Sequence, residues 1–143
     1  MESQIATFED ATLILKLYEL RQETVLRQAR NWLLFEFHPT TAEEFLDMVR
    51  PSASQENAYF RQAQTYWEMA ASLVLHGAVK ADLFLASNGE GLFLLAKFDP
   101  FREAYQAKFG RPFMRQTAEL VEKYPVAREI FNNMLKSIQA RRA

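Results

Sequence analysis

The chain has 143 residues, of which 17 are basic (Lys or Arg) and 18 are acidic, so its formal net charge is −1. This length is typical of one domain, and the balance of charge argues against a nucleic-acid partner, which needs a basic surface. Cysteine is absent, which excludes disulfides, thiolate nucleophiles and cysteine-ligated metals.

The composition favours helices. Leu and Ala far outnumber Val and Ile, and these small or straight-chain residues lose little rotamer freedom in a helix. No internal repeat or flexible linker interrupts the chain, so we predict a single helical domain over residues 1–143. We expect an all-α, irregular bundle of about six to eight helices, two of them long, at about 8–37 and about 55–76.

The first helix has the clearest pattern. Thr7 and Asp10 have the spacing of a capping box, and Pro39 marks the end of the helical pattern. Between them, mostly apolar residues recur at alternating spacings of three and four, which is the pattern of a helix-pairing seam. The seam consists of Phe8, Ala11, Leu15, Tyr18, Gln22, Val25, Ala29 and Trp32.

Gln22 is the polar exception in this seam. A single polar residue at such a position can set the register and number of paired helices, and the alternative is that Gln22 is simply exposed. A seam of this kind packs equally well within one chain or between two chains. The candidate interaction seam consists of Leu15, Tyr18, Gln22, Val25 and Ala29.

The later helices are predicted from residues that typically begin or end a helix. Thr40 or Thr41 can cap a short helix before Pro51, and Gly77 suits the end of the second long helix. Asp99-Pro100 can open a helix that stops near Gly110. Pro112 can open the next helix, and Pro125 marks the start of the last one.

The segment 82–97 has two interpretations. Two apolar runs flank Ser87-Asn88-Gly89-Glu90-Gly91, which could form a hairpin around an Asn-Gly turn. Neither run alternates polar with apolar residues, however, and an isolated two-stranded ribbon is marginal in water. We therefore favour two short helices joined by a turn.

Catalytic chemistry has little support in the sequence. His38 and His76 both lie near predicted helix ends, where attraction to the helix dipole explains a histidine. Glu68, Ser72 and His76 form a weak polar line at intervals of four, which suits a metal or a proton relay but is also typical of a solvated helix face. Gly89-Glu90-Gly91 lacks the third glycine of a dinucleotide fingerprint. We expect no catalytic, cofactor-binding or metal residues, no cofactor and no enzymatic activity.

Several short motifs follow one another between residues 59 and 124: Tyr66-Trp67-Glu68, Gly77, Asp82-Leu83-Phe84, Gly89-Glu90-Gly91, Arg102 and Phe109-Gly110-Arg111-Pro112. Their order resembles that of an uncharacterised bacterial family of small all-helical proteins. The resemblance implies an all-helical fold and brings no catalytic residue or cofactor, because that family has no established activity.

The sequence also bears on the cellular location and the partners of the protein. The first ten residues carry acids where a signal peptide carries basic residues, and no apolar run approaches the roughly 20 residues of a membrane span. We expect a cytoplasmic protein that self-associates or docks a partner protein through its first helix. The alternative is a binder of a small apolar ligand in an aromatic-lined helical cavity.

Overall fold

The computed structural model describes residues 5–142, and the regular structure in this range is entirely helical. The all-α prediction is therefore confirmed. The range holds nine α-helices and one 3₁₀ turn, Asp99–Phe101, which leads into the seventh helix. The α-helices are α1 (Phe8–Arg21), α2 (Thr24–Phe35), α3 (Ala42–Val49), α4 (Gln55–Leu75), α5 (Ala81–Ser87), α6 (Glu90–Lys97), α7 (Arg102–Phe109), α8 (Arg115–Lys123) and α9 (Pro125–Arg142).

The predicted long helix at about 8–37 is wrong, because the chain breaks between α1 and α2. Glu23 has extended backbone (φ −58°, ψ 136°), and its carboxylate accepts a hydrogen bond from the amide of Leu26 at 2.8 Å. Glu23 thus caps a new helix. After this break, α2 packs against α4, and its buried residues are Leu26, Ala29 and Leu33. The break also explains why the helix count exceeds the six to eight expected.

Helix α4 is the central helix, and the predicted long helix at about 55–76 is confirmed. Ser54 caps it by accepting a hydrogen bond from the amide of Asn57 at 3.1 Å. Its buried positions recur at spacings of three and four, so it presents one apolar side to α2 and other sides to α6 and α8. These positions include Phe60, Ala63, Trp67, Ala70 and Val74.

The segment 82–97 forms two short helices, α5 and α6, as we favoured, and the hairpin alternative is wrong. Helix α6 is buried by its neighbours α4 and α9. Gly91 permits this burial, because a β-carbon at this position would lie 3.3 Å from the β-carbon of Trp67. Gly91 therefore allows the close packing of α6 against α4.

Helix α8 begins at Arg115, three residues later than the predicted start at Pro112. Phe113 and Met114 precede it and are buried in the core, and Met114 has left-handed backbone with φ 47°. Because these two side chains are buried in the core, the helix begins only after them. Its N-terminus is capped by Glu68 of α4 rather than by a residue next to it in the sequence. The other predicted punctuation is confirmed at Thr41, Gly110 and Pro125.

Candidate functional site

The first half of the predicted seam lies on the outer face of α1. Phe8 is 83% exposed and Leu15 is 67% exposed, and Tyr18 is more than half exposed. Phe8 and Leu15 lie on the side of α1 opposite to buried Leu17 and Asp10, and Tyr18 lies at the edge of that side. We call this set the outer seam: Phe8, Ala11, Leu15 and Tyr18. Within residues 5–142, no other part of the chain buries this face of α1.

The second half of the predicted seam does not continue this face. Gln22 ends α1 as its C-cap residue, so the hypothesis of a polar residue within one continuous seam is wrong. Val25 is partly exposed at the start of α2, whereas Ala29 is fully buried inside the chain. The break at Glu23 therefore ends the continuous apolar face: α1 and Val25 keep exposed seam residues, and the seam turns inward by Ala29.

Helix α1 is held in place from both ends. Thr7 and Asp10 form the predicted capping box, with the Thr7 amide donating to Asp10 at 2.7 Å. Asp10 also accepts a hydrogen bond from the amide of Lys80 at 3.0 Å, which ties α1 to the start of α5. These bonds, the Thr7 amide foremost, lower the pKa of Asp10. The hydroxyl of Tyr66 donates to the carbonyl of Leu17 on the inner side. The outer seam thus sits on an anchored helix.

The polar line of Glu68, Ser72 and His76 divides into two separate sets of hydrogen bonds. Glu68 accepts from the amides of Gln116 and Thr117 at 2.9 Å each, and from the Thr117 hydroxyl at 2.7 Å. It therefore caps the N-terminus of α8. His76 instead contacts the carbonyl of Ser72 through Nδ1 at 2.8 Å. Neither set of contacts joins Glu68 to His76.

A cleft opens where α2, α6 and the end of α9 meet, and we call it the α2–α6–α9 cleft. Its volume is about 650 Å³, within the range of small-molecule sites. Five apolar side chains line it: Leu34, Phe35, Phe93, Met134 and Ile138. Charged or titratable side chains also line it: His38, Glu90, Lys97, Arg141 and Arg142.

The acid of the cleft, Glu90, is already neutralised. Arg30 donates to both of its oxygens at 2.8 Å, and the indole of Trp67 donates to Oε2 at 2.8 Å. The Arg30 and Glu90 side chains are only 19% and 14% exposed. Glu90 raises the pKa of the Arg30 guanidinium through this bidentate contact. The cluster joins α2, α4 and α6 at one carboxylate.

Lys97 is a buried cation in the same cleft. It is 5% exposed, and its ammonium donates to the carbonyls of Leu33 at 2.7 Å and Leu34 at 3.4 Å. Burial lowers the pKa of Lys97 to about 8, and the positive charge of Arg142 adds to this effect. Arg142 itself donates to the Lys97 carbonyl at 3.0 Å.

Sequence reasoning missed Arg30, Glu90 and Lys97. For Lys97 a signal was present, since it is a single charge in the apolar stretch 91–98 and a lone charge there requires a partner. Arg30 and Glu90 lie 60 positions apart, so their pairing had no local signature.

No cluster of three or more His, Cys, Asp or Glu side chains within residues 5–142 is arranged to hold a metal ion. Across the same described range, no helix combines the length and apolar character of a membrane span.

Comparison with known proteins places the chain in a family. Residues 6–124 match the model of the domain of unknown function DUF4760. Neither the curated proteins nor the solved structures contain a significant match. The matched range covers α1 to α8, including the outer seam, Glu68 and the Arg30–Glu90 pair, but ends before α9. The family match confirms the resemblance to an uncharacterised helical family, and this chain belongs to the DUF4760 family of domains of unknown function.

Proposed function

We propose that the protein is a non-enzymatic helical module that self-associates through the outer seam of α1. The observation that carries this proposal is the exposure of Phe8, Leu15 and Tyr18 on a helix whose other side packs on its own chain. A helix that is apolar on both sides is normally covered on both sides. An anchored helix with an uncovered apolar face is therefore suited to receive a partner.

The spacing of the outer seam favours a second copy of this chain as that partner. Phe8, Ala11, Leu15 and Tyr18 follow intervals of three, four and three, the pattern by which two helices of the same kind interlock. Two identical faces form a self-complementary interface around a two-fold axis. With 14 residues, α1 offers about two heptads over roughly 21 Å. An interface of this size supports a weak dimer, with a Kd of order micromolar.

Sedimentation velocity over a concentration series tests this proposal. We expect wild type to shift from monomer to dimer, and Leu15→Asp to stay monomeric while keeping its helical circular dichroism. Each copy loses about 1.5 kcal/mol of apolar burial, and the symmetric dimer loses it twice, so the Kd rises at least ~100-fold.

Val126→Asp is the matched control, since Val126 is an exposed apolar residue on α9 outside the seam. It should dimerise like wild type. A wild type that stays monomeric at every concentration, or equal weakening by both variants, would overturn the proposal.

A second candidate function is the binding of a small apolar ligand in the α2–α6–α9 cleft. The observation that favours it is an apolar wall around about 650 Å³, with Phe35 exposed at one side. Phe35 and Phe93 are the aromatic side chains in this wall. The cytoplasmic location expected from the sequence stays a prediction.

A further inference from the structure

The charge of the α2–α6–α9 cleft points to the chemistry of its ligand. Lys97, Arg141 and Arg142 are the three Lys or Arg side chains that line it, and His38 lines it as well. Within residues 5–142, none of the ion pairs includes any of the three. The acid in the wall, Glu90, has both oxygens bonded to Arg30 and one also to Trp67. The charge left facing the cleft is therefore positive.

Lys97 is the buried basic residue among those that line the cleft. An ammonium has three N–H donors, and the carbonyls of Leu33 and Leu34 account for two of them. These carbonyls supply partial negative charge but no counter-ion. A buried cation of this kind is costly unless an anion accompanies it. The neighbouring guanidinium of Arg142 increases that cost, and both effects lower the pKa of Lys97.

The rest of the wall excludes a small hydrophilic anion as the preferred occupant. Leu34, Phe93, Met134 and Ile138 present apolar surface next to the cations, and Phe35 extends it to the exterior. A free phosphate or acetate would leave this apolar surface uncovered. A molecule with an apolar body and one anionic end would cover it and place its charge against Lys97.

We infer that the α2–α6–α9 cleft binds an amphiphilic monocarboxylate, with its carboxylate at Lys97 and Arg142 and its apolar body along Phe93, Met134 and Ile138. This inference rests on the second proposed function, ligand binding in this cleft, and adds the charge of the ligand's polar end. A single carboxylate matches the single buried ammonium. The guanidinium of Arg142 supplies further donors that suit a carboxylate.

Isothermal titration with three probes of equal chain length tests the inference. The probes are decanoate, decanol and decylamine near neutral pH, with the two ionic probes below their micellar concentrations and decanol below its solubility limit. We expect decanoate to bind one molecule per chain, decanol to bind at least ~10-fold more weakly, and decylamine to show no binding, because a charge-assisted hydrogen bond is lost or replaced by repulsion.

Lys97→Met locates the effect in the cleft, because methionine keeps the apolar stem and removes the charge. We expect its decanoate affinity to fall to that of decanol while its decanol affinity stays within about twofold of wild type. Arg142→Met should weaken decanoate binding partially. Lys136→Met is the matched control: Lys136 is an exposed lysine of α9 outside the cleft wall, and its removal should change neither affinity.

The outcomes separate the two proposals. Equal binding of decanoate and decanol to wild type would overturn the monocarboxylate inference and leave the ligand cleft standing. Unchanged decanoate affinity in both Lys97→Met and Arg142→Met would also overturn the inference. No binding of any of the three probes would overturn the ligand cleft itself.

Discussion

The indole nitrogen of Trp67 donates a hydrogen bond to Oε2 of Glu90 across 2.8 Å. The residue after Glu90, Gly91, lies so close to Trp67 that an added β-carbon would be 3.3 Å from the Trp67 β-carbon. Two of the motifs that carry the family resemblance, Tyr66-Trp67-Glu68 and Gly89-Glu90-Gly91, therefore meet in space. Together they hold α6 against α4, and α6 forms one wall of the α2–α6–α9 cleft.

The Arg30–Glu90 pair should contribute measurably to stability. In Glu90→Gln the half-buried guanidinium loses its counter-charge and one acceptor, so we expect the free energy of unfolding to fall by about 2 kcal/mol. Urea unfolding measures this change. The control is Glu119→Gln, which alters the exposed pair of Arg115 and Glu119 and should change stability by less than about 0.5 kcal/mol. Equal effects of the two substitutions would contradict the assignment of Glu90.

Gly91 should be intolerant of a β-carbon. Alanine is a better helix former than glycine by about 1 kcal/mol, but in Gly91→Ala the contact with buried Trp67 forces α4 and α6 apart. We expect a net loss of about 1 kcal/mol in thermal or urea unfolding.

Gly89→Ala is the comparison for this prediction. Its β-carbon would meet only the flexible end of Met134 at 3.4 Å, and we expect little change in stability. A stabilised Gly91→Ala protein would show that α4 and α6 can separate without cost.

Glu68 should act as the cap of α8. Glu68→Ala removes the acceptor for the amides of Gln116 and Thr117 and for the Thr117 hydroxyl, so we expect a loss of about 1–2 kcal/mol. Hydrogen exchange provides the local readout, because the amides of Gln116 and Thr117 should exchange faster in this variant. Glu129→Ala, at an exposed position on α9, should leave both amides unchanged. Protection that survives in Glu68→Ala would contradict the capping role.

Lys97 should make stability depend on pH in the alkaline range. Its pKa is about 8 in the folded protein against 10.5 for the ordinary side chain. Between these values the unfolded chain holds a proton that the folded protein has released, so the free energy of unfolding rises with pH. Compared with Lys97→Met, wild type should gain about 3 kcal/mol as the pH rises from about 8 to about 10.5, and lose the same amount as the pH falls back to about 8.

Urea unfolding of both proteins from about pH 7 to about pH 10 measures this difference, and the subtraction removes groups that the two proteins share. A stability difference that is constant across the range would contradict the burial of a titrating Lys97.

Local chemistry accounts for the elements that the sequence predicted correctly. The Thr7–Asp10 box, the Thr41 cap, the left-handed Gly110 and the start at Pro125 all act within a few residues of the helix end that they define. The break after Gln22 had no such signal. Gln22-Glu23-Thr24 contains neither proline nor glycine, and the apolar periodicity runs across it.

By itself the sequence determined the helical class, most helix ends and the apolar faces, because composition, caps and periodicity are properties of neighbouring residues. Only the tertiary structure decided that the outer seam of α1 faces away from the chain while Ala29 faces inward. It also decided that Glu90 meets Trp67 and that Lys97 meets the end of α2, since these partners are 23 and 64 positions apart. Contacts over such separations depend on how the helices pack, and helix packing follows from the whole set of buried faces rather than from any one segment.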